Sequence, residues 1–344
     1  MSQHRARDPR RPRVDIASGH PARIDRGDVL SGSLAPQRAP GLPDSVTARA
    51  PAKLNLHLSV GRLRSDGFHD ITTVFQALAL FDEVTVSAAP TLTVSVRGEG
   101  QRDVPLGADN LAMRAALALA ELAGCEAVGK LLIHKAIPVA AGLAGGSADA
   151  AAALLACDAL WGTAVDRAAL LGLAAGLGSD VPFALTGGTA LGTGRGEHLS
   201  PVLAVGRWHW VLAVAEDGLA TPNVYRELDR QRDGAPPVPT EPLDALINAL
   251  RSGDPAALGP ALGNDLQSAA LALRPDLRRT LLAGAELGAI GCVVSGSGPT
   301  CAFLAVSSAE AVQLAAELAG AGVCRTVRAA YGPVGGARIM PVEN

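Results

Sequence analysis

The segment Pro138-Val-Ala-Ala-Gly-Leu-Ala-Gly-Gly-Ser-Ala-Asp149 limits what this chain can fold into more than any other stretch. It follows the apolar run 131–135, which reads as a short strand. It precedes the alanine-rich run from 147 to about 160, which reads as a helix stopped at Trp161-Gly162. Glycines 142, 145 and 146 allow positive φ and a close backbone approach to a ligand. The N–H groups at a helix start have no intrahelical partner. Loop and helix start together therefore form an anion cradle at the positive end of the helix dipole. Ser147 can cap that helix and offer its hydroxyl to a phosphate or a magnesium ion. A plain strand-to-helix turn with a serine cap is the competing reading. The loop is not a Walker A motif, since no Gly-Lys-Ser/Thr follows, and its spacing is not that of a dinucleotide fingerprint.

The 344 residues suffice for one large or two packed domains, and 48% hydrophobic residues against 18% charged ones can bury a core. Aromatics are only 3%, so an aromatic in a loop motif carries more information than usual. Eight arginines and four aspartates give residues 1–43 a net of +4, which leaves −7 for the rest of a chain whose total is −3. Such a body lacks the basic excess of a nucleic-acid binder. Five cysteines without a CxxC pair fit free thiols in a reducing cytoplasm. The longest apolar stretch, 168–178, falls short of the ~20 residues a membrane span requires. The Arg/Pro-rich residues 1–43 have no apolar core of a secretory signal and read as a disordered extension.

Ordered structure is expected from about Val46, with Leu54, Leu56, Leu58 and Val60 on one face of a strand. Further strands are expected at 83–87, 92–97, 189–192, 210–215 and 325–330, with a strand–loop–strand unit over 291–306. Helices are expected at 110–123, 167–175, 243–251, 265–273, 277–287 and up to about 320. Mixed strands and helices without strict alternation indicate an α+β fold. The division falls into 1–43, an N-terminal domain 44–204 and a C-terminal domain 205–340, with 231–240 a surface linker.

Two further segments bear on chemistry. Pro51-Ala-Lys-Leu-Asn-Leu56 places Lys53 and Asn55 opposite the leucines, facing either a site or solvent at a sheet edge. Gly178-Ser-Asp-Val-Pro182 places Asp180 in a tight turn, as an Asx cap or as a functional carboxylate.

Pro138–Asp149 resembles the phosphate-binding motif of the GHMP kinases, and Ser295-Gly-Ser-Gly-Pro-Thr300 resembles that superfamily's C-terminal glycine motif, which braces the phosphate loop. Pro-Ala-Lys-Leu-Asn-Leu, Asp66-Gly-Phe-His69, Gly178-Ser-Asp-Val-Pro182 and Thr221-Pro-Asn-Val-Tyr225 together are similar to one branch. That branch phosphorylates a cytidylyl-bearing methylerythritol in non-mevalonate isoprenoid synthesis. The resemblance covers about 46–338.

It implies a two-domain GHMP kinase fold, with a ribosomal protein S5 domain 2-like N-terminal domain and a ferredoxin-like C-terminal domain. It also implies ATP on Asn110, Leu111, Lys135, Pro138, Gly142, Leu143, Ala144, Gly145, Gly146 and Ser147. Lys53 and Asp180 would be catalytic. Asn55, Phe68, His69, Thr221 and Tyr225 would bind the small-molecule acceptor, with Phe68 and Tyr225 sandwiching the cytosine. Many members have tyrosine where Phe68 stands, so the ring is kept and the hydroxyl lost. Mg2+ would ride on the phosphates and water without a protein metal site. No nucleic-acid or membrane partner is expected, and the chain would be a cytoplasmic monomer or dimer. A homoserine- or mevalonate-type kinase and a non-catalytic nucleotide binder are the alternatives.

Overall fold

The computed structural model describes residues 42–233 and 243–341. Most of the N-terminal extension and most of the 231–240 linker lie outside them. In the first half, the strands are β1 (Ser45–Leu63), β2 (His69–Ser87), β3 (Thr93–Gly98), β4 (Lys130–Lys135), β5 (Thr189–Thr193) and β6 (His198–Pro201). The helices there are α1 (Leu111–Ala123), α2 (Gly145–Trp161), α3 (Arg167–Leu177) and α4 (Val181–Thr186). The second half has β7 (Trp208–Val214), α5 (Thr221–Arg232), α6 (Leu243–Ser252), α7 (Pro255–Ala261) and β8 (Gly263–Asn264). It continues with α8 (Gln267–Leu273), α9 (Asp276–Glu286), β9 (Gly291–Val294) and β10 (Cys301–Ala305). α10 (Ser308–Gly320), β11 (Thr326–Gly332) and β12 (Arg338–Ile339) complete it.

The larger sheet runs β12-β1-β2-β4-β3. β2 is long enough to pair with β1 along its length, with β4 at one end and with β5 at the other. Two late strands return to this sheet: β8 and β12 both pair with β1. The smaller sheet, β11-β7-β10-β9, is antiparallel throughout. Counted along the chain, its order is fourth, first, third, second, with helices after the first and third strands. This is the split-βαβ arrangement of a ferredoxin-like domain.

β1 departs from the expected alternation, because both of its faces are covered and burial is unbroken from 50 to 58. A register shift between Asn55 and His57 marks a bulge. A bulge re-aims the side chains beyond it. Leu54 and Leu56 accordingly join the core under the larger sheet, while Leu58 and Val60 join the core under the smaller one. The four leucine-face positions therefore serve two cores, and the solvated-edge reading of Lys53 and Asn55 is excluded.

The helices form where the local chemistry directs. Asn110 caps α1 by accepting from the N–H groups of Ala112 and Met113, and Gly124 ends it in the left-handed region at φ 66°. Six of the ten buried residues of α2 are alanine, and these small side chains let it lie close against β1, β2 and α1. It starts at Gly145, with Ala144 at the N-cap position at φ 58° and no side-chain cap. Ser147 is thus inside the first turn and does not cap the helix. No helix among the described residues is long and apolar enough to cross a membrane.

Candidate active site

A cleft of about 880 Å³ gathers Lys53, Asn55, Phe68, His69, Lys135, Pro138, Asp180, Thr221, Tyr225 and the loop from Gly142 to Ser147. Asn110 and Leu111 are not among its lining residues. The Asn110 amide is spent on capping α1 and on donating to the Pro105 carbonyl at 2.8 Å. Leu111 instead packs against the loop, its Cδ1 3.4 Å from where a Cβ on Gly146 would lie.

The glycine loop is shaped from both ends of the chain. Gly142 has φ +74°, and a Cβ there would sit 2.6 Å from the Gly298 carbonyl oxygen. Thr300 Oγ1 donates to the Ala141 carbonyl at 2.6 Å, and Ser295 Oγ donates to the Gly142 carbonyl at 3.3 Å. The expected brace from the 295–300 motif is therefore present as backbone contact and hydroxyl bonds. On the other side, the Lys53 N–H donates to the Leu143 carbonyl at 3.1 Å and ties the loop to β1.

Lys53 Nζ donates to Asn55 Oδ1 at 2.6 Å and lies 3.6 Å from Asp180 Oδ2. Asn55 Nδ2 donates onward to Thr73 Oγ1 at 2.8 Å, and Thr73 donates to the His57 carbonyl at 2.7 Å. The chain of bonds fixes the ammonium at the mouth of the loop. Asp180 occupies the N-cap position of α4 but makes no side-chain cap bond, so the Asx-cap reading fails. Its carboxylate faces the cleft and the lysine.

Under the loop lies a buried cluster of two carboxylates and one ammonium. Lys135 Nζ donates to Asp82 Oδ2 and to Asp149 Oδ2, the latter at 2.7 Å. The other Asp82 oxygen accepts the N–H groups of Ala136 and Ile137 at 2.7 and 2.8 Å. Burial raises the Asp149 pKa and, against the pull of Lys135, leaves it at about 8; Asp82 adds to the rise. Burial also disfavours the Lys135 ammonium, but the carboxylates of Asp149 and Asp82 outweigh it and raise its pKa. Both shifts run in the same direction, toward the protonated form of each group. Asp149 Oδ1 is buried and has no hydrogen-bond partner among the described residues. Lys135, expected beside an adenosine, lines the cleft with its ammonium bonded to these carboxylates.

At the far end of the cleft, His69 and Tyr225 stack, with ring centroids 5.2 Å apart at 30°. His69 Nε2 is 2.9 Å from Asp229 Oδ1. Burial, with the charge of Asp180 adding to it, pushes the Tyr225 hydroxyl up to about 12, so it stays protonated. Phe68 is 52% exposed at the lip, with the Arg195 guanidinium 5.2 Å over its ring. Thr221 Oγ1 meets Ser297 Oγ at 2.8 Å and joins α5 to the brace. Sequence reasoning missed Asp82, Arg195 and Asp229. Asp229 lies four residues after Tyr225, and helical spacing from that tyrosine would have found it.

A phosphate cradle facing a lysine–aspartate pair, on this two-sheet fold, defines a small-molecule phosphotransferase of the GHMP type. Residues 110–188 match the GHMP kinases N terminal domain, and 246–324 match the GHMP kinases C terminal. The 4-diphosphocytidyl-2-C-methyl-D-erythritol kinase of Nocardia farcinica is 59% identical over 304 residues, 88% of this chain and 99% of that protein. Its namesake in Mycolicibacterium smegmatis is 57% identical over 87% of this chain and 95% of that protein. A crystal structure of 4-(cytidine 5'-diphospho)-2C-methyl-D-erythritol kinase superposes with TM-score 0.70 at 35% identity, covering 84% of this chain and all of that one. A homoserine kinase from Cytophaga hutchinsonii shares the fold at TM-score 0.67 and 19% identity. The chain belongs to the 4-diphosphocytidyl-2-C-methyl-D-erythritol kinase family of the GHMP kinases.

Proposed function

We propose that the chain transfers the γ-phosphoryl of ATP to the 2-hydroxyl of 4-diphosphocytidyl-2-C-methyl-D-erythritol, in non-mevalonate isoprenoid synthesis. The observation that carries this reading is the joining, in one cleft, of a braced phosphate cradle, the Lys53–Asp180 pair and the His69–Tyr225 stack. Homoserine and mevalonate offer no base for such a stack, which is what favours the cytidylyl acceptor over those of related kinases.

Phosphoryl transfer asks for positioning and charge neutralisation more than covalent chemistry. Asp180 accepts the proton of the acceptor hydroxyl. The hydroxyl oxygen bonds to the γ-phosphorus, and the bond to the bridging oxygen breaks as ADP leaves. Lys53, held by Asn55 and ion-paired with Asp180, offsets the charge that builds on the phosphoryl oxygens. The N–H groups from Ala144 to Ser147 receive the ATP phosphates.

Among the described residues no group of three or more His, Cys, Asp or Glu side chains could hold a metal ion. Asp149 is engaged with Lys135 through Oδ2. Mg2+ fits as a hydrated ion on the phosphates with the Ser147 hydroxyl, where it would supply charge neutralisation. Free cysteines Cys125, Cys157, Cys292, Cys301 and Cys324 support a reducing, cytoplasmic setting.

The test is a turnover assay with ATP, magnesium and each of three acceptors: the cytidylyl substrate, homoserine and mevalonate. Phosphorylation of the first alone is expected. Preference for either of the others would overturn the reading.

A further inference from the structure

His69 is held more firmly than a residue that merely lines a cleft. Its side chain is 5% exposed, its ring stacks on Tyr225, and its Nε2 is tied to Asp229. Tyr225 and Asp229 are one helical turn apart on α5, so a single rigid element fixes both the plane and the rotation of the imidazole. Nδ1 makes no hydrogen bond among the described residues, and unlike His57 Nδ1 it is not sealed from solvent. It is the one ring nitrogen left to meet a ligand.

An ionised carboxylate only accepts hydrogen bonds, so Asp229 requires the proton to sit on Nε2. In the neutral imidazole the lone pair then lies on Nδ1, which becomes an acceptor. Cytosine offers an exocyclic N–H donor at position 4, whereas uracil offers a carbonyl acceptor there. An acceptor nitrogen suits the first and repels the second.

We propose that Asp229 is a specificity-determining positioning residue: by fixing the tautomer of His69 it makes Nδ1 accept from the cytosine amine and reject uracil. The inference rests on the proposed function, in which the acceptor carries a cytidylyl group read at His69. Asp229 acts through His69 and need not touch the base.

The experiment compares kcat/KM for the cytidylyl acceptor and its uridylyl analogue in wild type, Asp229→Asn and Asp229→Glu, at mildly alkaline pH. A misplaced donor–acceptor pair at one base edge is worth roughly 5- to 150-fold. Wild type is expected to prefer the cytidylyl acceptor by a factor in or above that range. In Asp229→Asn the amide can turn to present either oxygen or N–H, which frees the tautomer, and the preference should fall about tenfold or more with KM for ATP unchanged. Asp229→Glu should restore it. Nitrogen-15 NMR of wild-type His69 supplies a readout that needs no variant: Nε2 protonated and Nδ1 bare is expected. A protonated Nδ1, or an Asn variant that keeps the full preference, overturns the proposal. If wild type turns over both acceptors equally, this inference falls and the kinase reading stands; if it turns over neither, the kinase reading itself falls.

Discussion

Lys53 Nζ stands 3.6 Å from Asp180 Oδ2 while holding Asn55 Oδ1 at 2.6 Å, so the ammonium is anchored by an amide and only ion-paired with the carboxylate. Asp180 is thereby left free to take a hydrogen bond from an incoming hydroxyl. Replacing Asp180 by Asn should lower kcat by ~10²–10⁴, with KM for ATP nearly unchanged. Lys53→Ala should do the same. Near wild-type turnover in a folded Asp180→Asn protein would remove the base from the mechanism.

Phe68 sits at the lip of the cleft with the Arg195 guanidinium over one face of its ring. Stacking on a base is worth roughly 1–3 kcal/mol. Phe68→Ala should therefore raise KM for the cytidylyl acceptor by about 5- to 150-fold and leave KM for ATP alone. Equal changes in both constants would show that Phe68 supports the fold rather than the base.

Gly142 combines φ +74° with a carbonyl oxygen 2.6 Å from any added Cβ. The left-handed region alone costs a non-glycine residue about 1–2 kcal/mol, before that clash is counted. Gly142→Ala should lower stability by at least that amount and raise KM for ATP. Gly172→Ala, in α3 with nothing within 4 Å of the new methyl, serves as the control and should be neutral or slightly stabilising. Denaturant unfolding of the two variants checks this.

Burial pushes the Asp149 carboxyl up to about 8 in the folded protein, against about 4 for an unfolded aspartate. Between those values the native state binds the extra proton, so stability falls as pH rises through the window. Asp149→Asn cannot ionise, and its stability should change less with pH from about 4 to 8. Unfolding free energies at several pH values test the sign. Parallel curves for the two proteins would mean Asp149 is ionised in the native state.

Much of the site was legible because its chemistry sits in short contiguous motifs. Lys53 and Asn55 share one strand, Phe68 and His69 are adjacent, and the 138–149 loop is unbroken. α1 was readable from Asn110 to Gly124 because both caps are local. The features that escape a sequence reading depend on contacts distant along the chain. The bulge after Asn55 is set by pairing with β2, and nothing within β1 shows that its leucines divide between two cores. Lys135 reads as the end of a strand beside the nucleotide until folding brings Asp82 under it from 53 residues away. Asp229 and α5 are missed because no helix is expected between 176 and 242, although Pro222 suits the first turn of a helix. Ser147 reads as a cap because nothing local shows that Ala144 takes the left-handed turn usually left to glycine and starts the helix earlier.

The hydroxyl of Thr300 reaches Ala141 across 159 residues of chain. At about 5–20 residues per second, a ribosome delivers that threonine roughly 8–30 s after the loop it holds. During that interval the phosphate loop exists without its clamp, and a nascent chain ending before 295 should bind ATP poorly. Nucleotide affinity should therefore be acquired late, once the segment 295–300 has closed on the loop.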